Sequence, residues 1–417
     1  MTDRREVSHL LRRLTFGPTA AEVDAAVRAG YDATLASLLR PAAVVPPPDL
    51  GAEPAEQADR QKVREEQRAQ VGELVRWWLA RMAEGGGAEK LIFFWHGHWA
   101  TSARKVRSAR LMLGQQQTLR RYGSGDTGPL VRAMLRDPAL ILWLDGQKNT
   151  RKAPNENLAR EVMELFTLGV GTYGEDDVKA AARVLTGWQV DRDAGTAGLA
   201  PRRHDDRPVT LLGRTGKLDV DAYADLLVRH EAHLPFLAER LWVRYGSGGA
   251  PTPQTKARVA AAGRNTTALL TAVARDPEFA GTAGTLVKQP VEWLVGALRQ
   301  LEVPVAKIAS GEQQKLVNAL RALGQLPLHP PSVGGWPVGA AWLTTSSTLT
   351  RLRTGQRLAA LAPAAVDRLG RGDRLETLAN LLVVDAWTDR TRAALSNVKD
   401  PGKLLALALA SPEYAVH

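Results

Sequence analysis

The segment Pro154–Gly169, PNENLAREVMELFTLG, sets carboxylate and amide side chains at helical spacing. Successive residues of an α-helix are about 100° apart around its axis, so this pattern predicts an amphipathic helix. One narrow face carries Asn157, Arg160, Glu161 and Glu164. The opposite face carries Leu158, Val162, Leu165 and Phe166. A mainly helical fold and a candidate site both follow from this stretch.

The polar face of this helix has two interpretations. It can meet solvent, with Arg160 pairing to Glu164 at four-residue spacing. Alternatively, Asn157, Glu161 and Glu164 are catalytic or metal-binding, because a glycine-punctuated loop follows at Thr167–Gly171 and lets other backbone approach closely. Both interpretations stay open on the sequence.

A second polar cluster is Phe93–Trp99, FFWHGHW. On an α-helix the His96 and His98 rings would be about 200° apart, so both reach one metal only if Gly97 breaks the helix. If this stretch is helical, one of the two histidines can bind a metal and the other has a structural role. The alternative is a pair of histidines that donate to backbone carbonyls inside an aromatic shell.

A third candidate is the loop segment His204-Asp205-Asp206. His204 could supply a further metal ligand and Asp205 a general base, while the alternative is an Asx-type turn. Two histidines with two or three carboxylates can bind iron, manganese or zinc between facing helices. The candidate metal ligands are His96, His98, Glu161, Glu164 and His204. The Glu-x-x-His pairing of ferritin-like di-iron proteins is absent, which disfavours oxygen activation.

Composition predicts a mainly α protein, a multi-helix globular array of two packed helical lobes with long loops. Apolar residues recur at three- and four-residue spacing in most windows, and 417 residues exceed the usual size of one compact core. The predicted units are a helical hairpin with a Pro-rich linker at 1–56, a lobe at 57–245 carrying the His and Glu motifs, and a lobe at 257–417. Long loops are predicted at 191–217 and 246–256.

The chain is basic, with a net charge of +11. That favours an anionic partner, but the arginines are dispersed along the sequence and no nucleic-acid-binding motif accompanies them, so nucleic acid is not the predicted partner. The densest cationic patch is Arg104–Arg110. It is either a solvated helix face or a patch that steers an anionic substrate into a cleft at His98. With no cysteine, disulfides, thiolate metal sites and thiol nucleophiles are excluded. No Walker loop, dinucleotide fingerprint or nucleophile elbow is present.

Targeting signals give a further expectation. The first residues lack the apolar stretch of a secretory signal, and no run of about eighteen apolar residues occurs. We therefore predict a soluble, cytoplasmic protein without a membrane span.

Several motifs together resemble one bacterial family. They are His9-Leu-Leu-Arg-Arg13, Thr15-Phe16-Gly17, the two clusters above, Lys288–Glu292, Gly335-Trp336-Pro337 and Ser411–Tyr414. The chain resembles the family catalogued as domain of unknown function 1800, over nearly its whole length. The resemblance implies that the Pro154–Gly169 block is functional, since it is the main signature of the family. Members are often exported and encoded beside a phosphatase-like family, which leaves export open and implies a protein partner.

Three classes of function remain. The first is a metal-dependent hydrolase or oxidoreductase with a His/carboxylate site between the His96–His98 segment and the Glu156–Glu164 helix. The second is a non-catalytic helical scaffold that binds a partner protein. The third is a binder of an anionic ligand or polymer.

Overall fold

A computed structural model describes residues 3–42, 46–54, 59–370 and 372–417. The predicted Pro-rich linker therefore lies partly outside the described residues. Its described parts, 41–42 and 46–54, contain no helix or strand.

Helices dominate the described chain, which confirms the mainly α prediction. The first half contains α1 (Arg4–Leu14), α2 (Ala20–Ala29), α3 (Tyr31–Leu38), α4 (Arg60–Glu84), α5 (Gly87–His98), α6 (Ala103–Val106), α7 (Ala109–Tyr122), α8 (Thr127–Leu135), α9 (Pro138–Trp143), α10 (Asn157–Glu161), α11 (Glu175–Val184) and α12 (Val220–Arg229). The second half contains α13 (His233–Leu241), α14 (Pro253–Ala260), α15 (Thr266–Arg275), α16 (Pro277–Ala280), α17 (Pro290–Gln300), α18 (Ser310–Ala322), α19 (Thr345–Leu361), α20 (Pro363–Arg368), α21 (Arg374–Leu382), α22 (Asp389–Ser396), α23 (Pro401–Leu409) and α24 (Pro412–Ala415). Two π-helical segments, π1 (Val162–Thr167) and π2 (Trp242–Gly246), extend α10 and α13.

The predicted loop at 191–217 is wrong in part, because it contains most of two antiparallel hairpins. Strand β1 (Trp188–Asp191) pairs with β2 (Thr196–Leu199), and β3 (Val209–Leu211) pairs with β4 (Arg214–Gly216). Leu212 and Gly213 join β3 to β4 with positive φ angles of 48° and 77°, as a two-residue hairpin turn requires. Strands of three or four residues are too short to show an alternating pattern. The predicted loop at 246–256 is shorter, because α14 begins at Pro253.

The main hydrophobic core is one connected cluster of buried side chains. It extends from Leu10 to Tyr414 and includes residues of all three predicted units. Trp78, Trp99, Trp242 and Trp293 are among its largest fully buried members. The division into two lobes stays a prediction.

A charged carboxylate is buried in the folded chain. Glu292 of α17 is fully buried, and its Oε1 is 2.7 Å from Lys90 Nζ of α5 and 3.0 Å from Arg244 Nη1 of π2. Its Oε2 accepts a 2.8 Å hydrogen bond from the Gln289 backbone N–H. Burial alone would raise the pKa of Glu292, but the Arg244 and Lys90 cations hold it well below the ordinary value. One charge thus joins three helical segments.

Further cations surround this carboxylate. Arg13 of α1 donates to the carbonyls of Gly246 and Thr282, and the Lys288 ammonium is 3.7 Å from the centre of the Tyr414 ring. Lys90 also donates to the Thr15 carbonyl at 2.8 Å. Buried charges are tolerated when they are paired and hydrogen-bonded in this way.

Close backbone contact brings the Thr15-Phe16-Gly17 motif to α17. A Cβ on Gly17, whose φ is +144°, would lie 2.8 Å from the Gly296 Cα. Arg299 donates from Nε to the Gly17 carbonyl at 2.9 Å. Tyr414 donates to the Gln300 side chain at 2.8 Å. The first and last sequence motifs therefore meet at one helix and have a packing role there.

The buried carboxylate gives a stability prediction. Replacing Glu292 with glutamine leaves Lys90 and Arg244 buried without a counter-charge, so we expect the free energy of unfolding to fall by about 3–5 kcal/mol. Urea denaturation measures this change. The matched control is Glu312→Gln, because Glu312 pairs with Lys315 and Arg357 near the surface. Solvent screens surface pairs, so this change should lower the free energy of unfolding far less. Equal losses in the two variants would contradict the central role of Glu292.

Candidate functional site

The predicted Pro154–Gly169 helix changes its hydrogen bonding partway along. After α10, the Leu168 N–H donates to the Met163 carbonyl at 2.9 Å, five residues back. The Thr167 hydroxyl donates to the Val162 carbonyl at 2.6 Å, also five residues back. Such π-helical turns are rare and occur frequently at functional sites.

Two buried histidines bind the end of π1. His98 Nε2 is 2.9 Å from the Phe166 carbonyl, and His233 Nδ1 is 3.0 Å from the Thr167 carbonyl. A helix end leaves carbonyls without intrahelical partners, and the two imidazoles supply donors for two of them. The position of π1 is therefore set by side chains of α5 and α13.

The predicted pairing of Arg160 with Glu164 is wrong. Arg160 instead forms ion pairs with Glu156 at 2.9 Å and Glu175 at 2.7 Å. Within the described residues, the carboxylates of Glu161 and Glu164 have no ion-pair or hydrogen-bond partner. Burial, followed by the neighbouring Glu164 charge, raises the pKa of Glu161.

The predicted separation of polar and apolar faces holds at π1 for Val162 and Phe166, which are buried, but not for Leu165, which is half-buried like Glu164. Leu165 was expected opposite Glu164, yet both line the same hollow. A π turn holds more residues than an α turn, so the side chains that follow it leave the α-helical register. This places the Glu164 carboxylate beside an apolar neighbour.

His96 and His98 point in different directions because α5 continues through Gly97 to His98. This confirms that a helix separates the two rings. His96 is wholly buried, its Nε2 accepts from the Leu328 N–H at 3.1 Å, and it lies edge-on to Trp78 and Trp336. Its Nε2 is therefore already used by the backbone.

His98 keeps one nitrogen unused. Its side chain is only 3% exposed, Nε2 faces the Phe166 carbonyl and must carry the proton, and Nδ1 has no partner. Burial, followed by the positive charge of Arg240, lowers the pKa of His98 to about 3. The imidazole is therefore neutral near pH 7, with a free lone pair on Nδ1.

The Gly334–Pro337 loop closes over α5 at this point. A Cβ on Gly335, whose φ is +82°, would lie 2.4 Å from the Gly97 carbonyl oxygen. Trp336 stacks on Phe93 with ring centres 5.6 Å apart and 27° between planes. The His-Gly-His and Gly-Trp-Pro motifs therefore form one contact, which needs a glycine at position 335.

Two arginines approach the same region from the helix that ends in π2. Arg244 uses Nη1 to bind Glu292, while its buried Nη2 has no partner. Arg240, one turn earlier, makes no ion pair or side-chain hydrogen bond to any described residue, and burial lowers the pKa of its guanidinium. Both side chains thus keep donors available.

These groups line two adjoining hollows, which we call the His98 cavity. The larger, about 70 Å³, is lined by Phe93, Phe94, Gly97, His98, Arg240, Val243, Arg244, Gln289, Gly334, Trp336 and Val338. The smaller, about 50 Å³, is lined by His98, Glu164, Leu165, Phe236, Arg240, Val333 and Gly334. His98, Arg240 and Gly334 belong to both.

The other residues predicted for the site do not line this cavity. Asn157 donates to the Leu144 carbonyl at 3.1 Å, and His204 Nδ1 is 3.0 Å from the Thr186 carbonyl. Glu161 is the last residue of α10, and it is not among the residues that line either hollow.

Asp205 has a structural environment. It pairs with Arg183 at 2.9 Å and Arg207 at 2.6 Å, and it accepts from the Arg207 backbone N–H at 3.2 Å as in an Asx turn. Hydrogen bonds from Arg207 hold the pKa of Asp205 far below its ordinary value. A carboxylate with so low a proton affinity is a poor general base.

The five predicted metal ligands do not converge. Within the described part of the chain, no three His, Asp or Glu side chains form a group that could hold a metal ion. The His98 cavity supplies two such groups, His98 Nδ1 and the Glu164 carboxylate. Catalytic zinc sites use three protein ligands, so this donor set lacks one.

Sequence reasoning missed Arg240, Arg244 and Gln289. The two arginines are four residues apart, which places them on one helix face, so helical periodicity could have grouped them. Nothing in the sequence pairs Arg244 with Glu292, because that contact joins segments distant along the chain.

The fold and this cavity define a class, a mainly α protein with a small charged cavity between two π-helical segments. The chain belongs to the family described as "Protein of unknown function (DUF1800)", whose model matches residues 9–416. Comparisons with curated proteins and with solved structures gave no match. Among the described helices, none combines the length and apolarity that a membrane crossing demands.

The Gly335–Gly97 contact gives a prediction with a matched control. Gly339 also has a positive φ, +63°, but a Cβ there would meet nothing within 4 Å. Gly339→Ala should therefore cost only the left-handed strain of about 1–2 kcal/mol. Gly335→Ala adds a clash with backbone, so we expect a clearly larger loss of unfolding free energy, measured by urea denaturation. Equal losses would show that the loop does not seat on α5 as described.

Proposed function

We propose that the His98 cavity binds the anionic group of a small molecule, and that Glu164 acts on that molecule as a general base. The observation that carries this proposal is the set of unused polar groups around one cavity. Arg240 and Arg244 Nη2 are donors without partners, and His98 Nδ1 is an acceptor without one. Buried polar groups nearly always have partners in folded proteins, so this set supports a ligand site.

The charges support an anionic group. Arginine presents a planar fork of donors that matches a carboxylate or phosphate. Two arginines line the larger hollow, and with respect to the described residues Arg240 has its whole fork free and Arg244 has Nη2 free. Hollows of about 70 and 50 Å³ have room for one such group or a few waters. The remainder of the ligand would extend through the opening.

The smaller hollow of the cavity supports acid–base chemistry. The Glu164 carboxylate has no partner among the described residues and lies beside Leu165 and Phe236. A partly desolvated carboxylate within reach of a bound molecule can accept a proton from it. His98 Nδ1 can accept a hydrogen bond from a hydroxyl or amide and so orient the same molecule. These roles favour an enzyme over a purely structural scaffold, because a carboxylate and a histidine share a cavity.

Local spectroscopy tests anion binding at this site. Titrating phosphate or acetate into the full chain should shift the imidazole ¹⁵N signals of His98, assigned by their loss in His98→Gln. Arg240→Ala should weaken this response at least about tenfold, since a charge-assisted hydrogen bond is worth about 1.5–3 kcal/mol. Arg229→Ala removes an exposed arginine of α12 and should leave it unchanged. If His98 signals stay fixed at tens of millimolar anion, the proposal fails.

A divalent metal, iron, manganese or zinc, is a second candidate ligand. The observation favouring it is that His98 Nδ1 and the Glu164 carboxylate line one hollow. Water or substrate would have to complete the coordination. Elemental mass spectrometry of protein incubated with these metals should then show stoichiometric metal that Glu164→Ala loses and Glu175→Ala, on the exposed end of α11, retains. Equal metal content in the two variants would contradict a metal at this cavity.

A further inference from the structure

A second and larger cavity shares no residue with the His98 cavity. It has a volume of about 670 Å³ and lies between α4, α6, α18 and the segment that ends at His329. We call it the arginine groove. Ligand pockets typically have volumes of about 300–1,000 Å³, so the groove is large enough for a whole small molecule.

The charge of the arginine groove has one sign. Its lining includes Arg64, Arg68, Arg76, Arg104, Arg107 and Arg321. No aspartate or glutamate is among the lining residues. Guanidinium groups remain charged at any physiological pH, so the groove concentrates positive charge on a concave surface, which focuses the field toward anions.

Most of this charge is not neutralised by the described chain. Arg76 pairs with Glu73 at 2.6 Å, and Arg321 donates to the Asn318 side chain at 2.6 Å. The side chains of the other four arginines make no ion pair or hydrogen bond to any described residue. Like charges facing one another destabilise a fold, which favours a bound anion as their partner.

The walls and floor indicate the kind of anion. Arg64 and Arg68 lie on α4, while Arg104 and Arg107 lie at the opposite wall around α6. The apolar floor contains Val71, Val75, Val317 and Leu326, and no Phe, Tyr or Trp lines the groove. Strands of nucleic acid are usually held by bases stacked on aromatic rings, and that platform is missing here. Cations on two walls instead suit a compact ligand with more than one anionic group.

We propose that the arginine groove binds a small molecule carrying two or more adjacent phosphate groups. Arginines of both walls bind phosphate oxygens with paired N–H donors, and the apolar floor accommodates the remainder of the ligand. This site is independent of the His98 cavity, and neither proposal requires the other.

Calorimetry with defined probes tests this proposal. Tripolyphosphate and ATP, titrated without metal into the full chain at low salt, should each bind saturably at one site. Arg68→Ala/Arg104→Ala removes one cation from each wall and should weaken binding at least about tenfold. Arg390→Ala/Arg392→Ala removes the same charge from α22, outside the groove, and should change affinity by less than about twofold.

Three results would overturn the proposal. They are absence of saturable binding to both probes, equal losses in the two double variants, and an affinity for oligothymidylate that rises with length above that for ATP. Tripolyphosphate binding without ATP binding would also contradict a role for the apolar floor. Thermal melts establish that the variants fold, and Arg68→Gln/Arg104→Gln replaces the alanine variant if that one does not. The groove variant should keep the His98 response to acetate, which separates this test from that of the cavity.

Discussion

The buried Glu292 carboxylate is the interaction on which the rest of the structure depends. It binds Lys90 of α5 and Arg244 of π2 with a single oxygen, and its own helix, α17, contacts the N-terminal segment through Gly296 and Gly17. Removing an ion from water is costly, so such a pair forms only where its partners are held in place. Because Glu292 engages Arg244 through Nη1, it also fixes the Nη2 group that faces the His98 cavity. The ion pairs of the buried Glu292 therefore also determine where a donor of the His98 cavity lies.

The helical class of the fold could be predicted from the sequence because apolar periodicity is a local property. The separation of the His96 and His98 rings could be predicted for the same reason, since ring direction on a helix follows from position alone. The π-helical hydrogen bonding of π1 could not be predicted, because the hydrogen bonds of His98 and His233 to the Phe166 and Thr167 carbonyls come from distant segments. The pattern of apolar residues along one helix does not show which distant side chains will hydrogen-bond to its backbone.

The clustering of charged side chains in the folded chain could not be predicted from the sequence either. The arginines are dispersed along the sequence, which argued against nucleic acid as a partner and left the position of any anion site open. In the folded chain, α4, α6 and α18 gather six of them around one groove without a lining carboxylate. Asp205 shows the converse, because a residue predicted as a base is instead neutralised by Arg183 and Arg207. Of the predicted site residues, His98 and Glu164 line the His98 cavity, and the arginines that complete it required the tertiary structure.

The central claim is that the polar groups around His98 form a site for an anion. A crystal soaked in selenate tests it most directly, because the anomalous signal of selenium locates each bound oxyanion. The account predicts a selenium peak in the His98 cavity, within hydrogen-bond reach of Arg240 and Arg244 Nη2. A map with peaks at surface arginines and an empty His98 cavity would contradict it.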